Sequence, residues 1–339
     1  MDAKSFIVVG ENIHCTRIVK RNGKRAITLG DGREVVTFQH NGEDRQLSIP
    51  ENWASVSPAF EQGKVKHGAL AMYQAMNGSG SDQKDGEDYL CWMAERQINA
   101  GATFLDVNVD EYSTDKGAVI DTMIFIVDFL GRRYDTPLSI DSSDPDTLRT
   151  GLERCRKDIR PPMLNSVSLE REEVADLVVE FNADAIVNAA GKSGMPCGVE
   201  DRMENLRQIL GILTGNGVAV ERLHIDALVL PIGTDPMNGQ YFMQATEQAV
   251  KEFPGIHANG GLSNISFGMP NRKLLNMTFT RICTDIGLDG GIIDPVSMSA
   301  EAISGMDTES EPFTLAKAVL TGEDMFGMEY IGASRDGRI

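Results

Sequence analysis

No apolar run in this chain approaches the roughly 18 residues that a membrane span requires. No signal-peptide core precedes the first apolar run, since Met1-Asp2-Ala3-Lys4-Ser5-Phe6 leads straight into it. Those two absences predict a cytoplasmic protein without a membrane partner. Basic charge is also short: 32 Lys and Arg stand against 50 Asp and Glu, a net charge of −18. That balance excludes the basic face that a nucleic acid or an anionic surface would need. The 5 cysteines are scattered, and none is spaced as CxxC, so reduced thiols are expected and a disulfide framework is not. No GxSxG, no HxH or HExxH and no Cys/His pair near a strand end is present. Nucleophile-base chemistry and a transition-metal site are therefore not indicated. Two histidines near strands, His14 and His224, stand alone and read as packed or hydrogen-bonded core residues. There is no internal repeat and no low-complexity tract.

What the chain does have is alternation. Eight short apolar, β-branched runs are marked at 6–13, 104–109, 137–141, 163–168, 185–189, 223–230, 256–264 and 291–294. Near-continuous apolarity suits parallel strands buried on both faces. Helical periodicity fills the intervals, over 87–100, 116–130, 145–156, 170–181, 200–214, 239–253, 272–286 and 312–321. Strand-helix alternation of this length predicts a (β/α)8 barrel within one domain spanning 1–339. A doubly wound open sheet is the alternative, but no GxGxxG follows the first strand. One region breaks the period. Between about 16 and 82, Asn22-Gly23, Asp31-Gly32 and Asn41-Gly42 are turn signals around Val35–Phe38 and Leu47–Ile49. An inserted β-hairpin is expected there, on the first strand-to-helix loop, with a flexible joint at Gly78–Asp82 before the first clear helix.

The strand ends carry the chemistry. They read Gly10-Glu11-Asn12, Asp106-Val107-Asn108, Asp141-Ser142, Asn165-Ser166, Asn188, Asp226, Ser263-Asn264 and Asp294. One Asp after a strand is ordinarily a helix cap or an Asx-turn. Asp or Asn at so many ends of one barrel instead predicts a shared pocket at the C-terminal face. Gly260 and Gly261 would let backbone approach a flat ligand there, with Ser263 and Asn264 as short polar groups beyond them. Carboxylates and amides together suit a neutral heterocycle that both donates and accepts hydrogen bonds, as a pterin does. Oxygen ligation of Mg²⁺ or Ca²⁺ is possible in principle for such a set.

These segments resemble a known family. Val9-Gly10-Glu11-Asn12-Ile13, Gly101–Val109, Leu138–Ser142, Leu164-Asn165-Ser166, His224-Ile225-Asp226, Gly261–Ser266 and Asn271–Phe279 are similar, in order, to the pterin-binding barrel methyltransferases. Those enzymes move methyl groups between tetrahydrofolate and corrinoid proteins, and they include the folate domain of cobalamin-dependent methionine synthase. The resemblance implies a TIM barrel of the pterin-binding type. It implies tetrahydrofolate or 5-methyltetrahydrofolate as substrate and cobalamin carried by a partner corrinoid protein, because the corrinoid-binding DxHxxG signature is absent here. It implies Asp141, Asn165 and Asp226 as pterin ligands, with Asp226 taking the paired amino and ring N–H groups. Asp106 and Asn108 would form the floor of the site, and Gly261, Ser263 and Arg272 complete the pterin set. Asn264 would be the catalytic amide at the methyl-bearing nitrogen. Asp226-Ala227 stands where family members often have Asp-Pro, which predicts a looser loop. A homodimer is expected as the commonest oligomer. Dihydropteroate synthase, whose barrel and pterin pocket are of the same kind, and a non-catalytic folate-binding subunit of a demethylase remain the alternatives.

Overall fold

The computed structural model describes residues 2–339. Eight parallel strands form one sheet, and they match the expected runs in order. They are β1 (Ile7–His14), β2 (Phe104–Asn108), β3 (Leu138–Asp141), β4 (Met163–Val167), β5 (Asp184–Asn188), β6 (Leu223–Asp226), β7 (His257–Asn259) and β8 (Gly290–Ile293). Their order in the sheet is β7-β6-β5-β4-β3-β2-β1-β8. A backbone bridge between Gly261 and Ile292 brings β8 alongside the end of β7. This is the (β/α)8 barrel. Helices follow the strands, capped where the sequence supplies a short acceptor. Asp115 accepts from the Ala118 N–H at 2.7 Å, and Asp144 from the Thr147 N–H at 2.9 Å.

By contact the chain divides into two compact units. One comprises residues 1–10, 100–104 and 163–339; the other comprises 11–99 and 105–162. In the first unit, Val9, Phe104, Met163 and Ile186 form a buried cluster, with Ile7 and Ile292 packed against it. These are inward-pointing strand residues, the layered filling of a barrel interior.

The second unit holds the irregular region. Asn41 at φ 54° and Gly42 at φ 79° form the turn between Glu34–His40 and Glu43–Ser48. Both central residues are left-handed, as a type I′ hairpin demands and as Asn-Gly permits. Ala26–Thr28 adds a third strand to this small sheet. The sequence signals missed a helix. His67–Asn77 is helical and largely buried, and Ser81–Asn99 begins the next helix several residues ahead of the expected start. In the segment between them Gly78 is packed, since a Cβ there would lie 2.5 Å from the Gln74 carbonyl oxygen, while Ser79 and Gly80 are exposed. The hairpin sheet is docked rather than loose. Phe38 meets Tyr89 edge-on at 4.8 Å, and Gln74 donates to the Ser48 carbonyl at 2.8 Å.

Candidate functional site

The second unit carries the ends of β1, β2 and β3. His14 closes β1, and its Nε2 lies 2.7 Å from Asp106 Oδ2 on β2. His14 is therefore a hydrogen-bonded histidine, as its sequence context predicts, and Asp106 is the partner that the sequence did not show. Asp106 is fully buried. Asn108 donates through Nδ2 to Asp141 Oδ2 at 3.0 Å, which fixes the carboxyl that ends β3. Asn108 also accepts from the Asp110 N–H at 3.1 Å. Asp110 in turn accepts from Ser142, and from the N–H and hydroxyl of Ser143 at 2.7 and 2.8 Å. So Asp106, Asn108 and Asp141 are brought together, as the sequence predicts. Burial raises the Asp141 carboxyl, Asp106's charge raises it further, and His14 and Asn108 pull it back; it comes to about 7. Burial disfavours charge on His14, but the Asp106 hydrogen bond and the charges of Asp106, Asp141 and Glu11 outweigh it and raise that imidazole.

Could this cluster hold a metal? One atom each of His14, Asp106 and Asp141 lie within 4.8 Å of one another. Ligands at about 2.1 Å from a common ion stand closer together than that upper limit. The direct His14–Asp106 bond makes this a hydrogen-bonded cluster as it stands.

The first unit carries the remaining strand ends. Asn165 on β4 is buried, and Ser166 beside it accepts from Asn188 Nδ2 at 2.7 Å. Asp226 ends β6 with 8% exposure and accepts from the Leu228 N–H at 2.7 Å. Burial raises its carboxyl to about 6, against the opposing pull of the Leu228 and Gly261 N–H groups and of Arg202's charge. Arg202 is a member of this site that the sequence hid. It is fully buried on the helix Val199–Gly215, and it donates to the Ala227 carbonyl at 2.8 Å and to the Gly198 carbonyl at 2.9 Å. Flanked by Glu200, Asp201 and Glu204, it reads as a solvent-facing charge, and no local pattern reveals otherwise. Its bond to the Ala227 carbonyl ties the backbone that follows Asp226. His224 stacks on His257 at 4.7 Å within the strands.

The Gly-rich stretch differs most from expectation. Strand β7 stops at Asn259, and Asn264 lies instead in a 3-10 turn over Leu262–Ser266. A Cβ on Gly260 would come within 3.1 Å of the Phe242 ring, and one on Gly261 within 3.0 Å of Asn264 Nδ2. The two glycines therefore admit an internal ring and the Asn264 amide, respectively. Gly261 also donates its N–H to Asp226. The Gly261 carbonyl accepts from the Asn264 N–H at 3.0 Å, so this glycine adjoins both Asp226 and Asn264. Arg272 is exposed and braces the same turn. It donates to the Ser263 carbonyl at 2.9 Å and to Ser266 Oγ at 3.0 Å, and it lies over the Phe267 ring. Asn259, fully buried, accepts from the Gly260 N–H at 2.6 Å and was not singled out from sequence.

Among the described residues, no helix is long and apolar enough to cross a membrane. The family described as pterin binding enzyme matches residues 80–294. The chain is 29% identical over 263 residues to the methylcorrinoid:tetrahydrofolate methyltransferase of Eubacterium limosum, covering 76% of this chain and 91% of that protein. It is 28% identical over 291 residues to the methionine synthase of Mycobacterium leprae, covering 78% of this chain but 22% of that much longer protein. Among solved structures it is similar to dihydropteroate synthase from Stenotrophomonas maltophilia, with a TM-score of 0.52 and 17% identity over 65% of this chain and 86% of that one. The Xanthomonas albilineans enzyme in complex with 7,8-dihydropteroate gives a TM-score of 0.51 and 14% identity, covering 65% of this chain and 83% of that one.

Proposed function

Because the chain belongs to the family of pterin-binding enzymes, we propose that it is a folate-dependent methyltransferase that moves a methyl group between tetrahydrofolate and the cobalt of a corrinoid carried by a partner protein. One observation carries the reading: Gly261 links the two groups, its N–H drawing down the Asp226 carboxyl and its carbonyl accepting from the Asn264 N–H at 3.0 Å, so that a pterin anchor and a candidate catalytic amide share one glycine. Similarity over 91% of a curated methylcorrinoid:tetrahydrofolate methyltransferase supports the reaction class. The likeness to dihydropteroate synthases is one of fold.

In this reading Asp141, Asn165 and Asp226 take the pterin, while Asn108 holds Asp141 in place and Asp106 holds His14 beside it. Arg272 and Ser263 shape the turn that presents Asn264. The transfer is a displacement at the methyl carbon. In one direction the lone pair of the folate nitrogen attacks the methyl of methylcobalamin; a C–N bond forms, the Co–C bond breaks with its electron pair staying on cobalt as Co(I), and the methylated nitrogen gives up its N–H proton to water. In the other direction Co(I) attacks, and the leaving nitrogen must be protonated or strongly hydrogen-bonded. An amide at Asn264 serves both directions, since its oxygen accepts and its nitrogen donates. No side chain need carry the methyl.

The test is to mix the protein with tetrahydrofolate and methylcobalamin and follow the corrinoid spectrum. Loss of the methylcobalamin spectrum, dependent on both protein and folate, is expected. Asn264→Ala should slow single-turnover transfer roughly 10²-fold, about 2.7 kcal/mol, at little cost to folding. No folate-dependent spectral change would overturn the reading. A destabilised Asn264→Ala variant with full turnover would remove Asn264 from catalysis and leave it a turn residue.

A further inference from the structure

We propose that His14 is a positioning residue for this reaction: its imidazolium, gripped by Asp106, holds the neighbouring Asp141 as a carboxylate ready to accept the pterin's N–H groups. The proposal rests on the folate reading above. It begins with a problem of charge. Asp106 is fully buried, and its carboxylate converges with that of Asp141, from adjacent strands, on the same few ångströms. Two carboxylates sharing one site resist ionising together, and a proton placed on either relieves them. A proton on Asp141 would turn an acceptor into a donor and spoil its match to a ring N–H. A positive charge placed against the pair solves this without protonating Asp141. His14 is in that place, 2.7 Å from Asp106 at the end of the next strand.

The surroundings leave few other sources of that charge. His14 faces Asp106, Asp141 and Glu11. Glu11 is engaged by Arg17, whose Nη2 lies 2.7 Å from its Oε1. Asp141 faces Asp106, His14 and Asp110, with the neutral Asn108 amide on one of its oxygens. Asp110 is held by Ser142 and Ser143. The groups that act most strongly on Asp141 are Asp106, His14, Asn108 and Asp110, and of these only His14 can carry a positive charge. The His14 backbone is fixed as well, because Gly68 packs so closely that a Cβ there would fall 2.5 Å from the His14 carbonyl oxygen. Asp141 comes to about 7 even with His14 present, so removing the imidazolium should leave it protonated at neutral pH.

The experiment measures tetrahydrofolate binding by calorimetry against pH, for the unaltered chain and for His14→Gln. In the unaltered chain the affinity should rise with pH as Asp141 ionises. In His14→Gln that rise should move about 1–3 pH units to the alkaline side, the usual effect of losing an opposite charge at this range. At pH 7, where about half of Asp141 is ionised in the unaltered chain, this is roughly a 5- to 500-fold loss of affinity, recovered at high pH. A purely structural role for His14 would lower affinity at every pH alike. A second measurement needs no folate: the His14 ring titration is followed by NMR in the unaltered chain and in Asp141→Asn. Loss of the Asp141 charge should lower the His14 pKa. Folate binding with an unmoved midpoint, or a His14 titration indifferent to Asp141→Asn, overturns the proposal and leaves the folate reading standing. No folate binding by the unaltered chain at any pH overturns both.

Discussion

At the scale of single residues, the site sets binding against stability. Asp226 is buried with 8% exposure, and its carboxyl sits near 6. An unfolded aspartate titrates near 3.9. The folded state therefore binds the extra proton between those values. By linkage, stability is greatest below about pH 4 and falls as pH rises through 6, by roughly 3 kcal/mol for a displacement of about two units. Asp226→Asn removes the ionisation and keeps an acceptor for the Leu228 N–H. Its stability relative to the unaltered chain should grow between pH 4 and 6 and then level off. Folate affinity at pH 7 should fall by about 1–3 kcal/mol, because an amide leaves one ring donor without its acceptor. Denaturation at several pH values, paired with calorimetry, checks both. A stability difference that does not change with pH would show that Asp226 does not titrate in that window. The residues of this balance were unequally legible. Asp141, Asn165 and Asp226 stand at strand ends, where a period-based reading finds them. His14 was visible but looked solitary, because its partner Asp106 is 92 positions away in sequence. Arg202 sits among acidic neighbours on an amphipathic helix, and only the packed structure shows that it points inward.

At the scale of elements, the hairpin and the helices beneath it form one packed structure. Phe38 is 5% exposed and lies 4.8 Å from the Tyr89 ring and 5.9 Å from Trp92. Arg25 lies over Trp92 at 4.9 Å, and Ser48 donates to Asp82 at 2.8 Å. Arg45 is paired with Asp85 and Asp88. These ion pairs are only half-buried, whereas Phe38 and Tyr89 are buried, so the aromatic cluster should dominate. Phe38→Ala is expected to destabilise this unit by about 3–5 kcal/mol, as Phe-to-Ala changes in cores do. Thermal melts checked by Trp92 fluorescence report it, and a loss under about 1 kcal/mol would mean the hairpin is only loosely attached. Sequence found the hairpin because Asn-Gly dictates its turn. It missed the helix His67–Asn77 because no side chain caps its start, and because Gly68, required by the close approach to His14, weakens the helical signal. It carried β7 too far because Leu262 continues the apolar run after the strand has given way to a 3-10 turn.

At the scale of the whole molecule, the barrel order was legible because strand and helix periods repeat, and each repeat ends in a polar residue. The reaction partner was not written in the same way. The chain has no DxHxxG corrinoid signature and a net charge of −18, so the proposed methyl transfer is a meeting of two bodies. In that proposal the protein would supply the folate half, with the pterin fixed and its nitrogen hydrogen-bonded. The cobalt must be brought to that nitrogen and held in line with the methyl carbon. Free methylcobalamin has no surface with which to be oriented, so each encounter pays the full cost of alignment. A carrier protein that docks converts this into an effectively intramolecular step, and well-oriented reactions gain many orders of magnitude from such positioning. The chain should therefore purify without cobalt, turn over free methylcobalamin slowly, and react at least roughly 10²-fold faster with a methylated corrinoid protein at equal cobalt concentration. Stopped-flow spectra of the corrinoid under both conditions, with tetrahydrofolate saturating, give the comparison. Equal rates would mean that alignment is set within this chain alone. Corrinoid retained through purification would mean that the chain binds the cofactor directly and that the reaction needs no carrier.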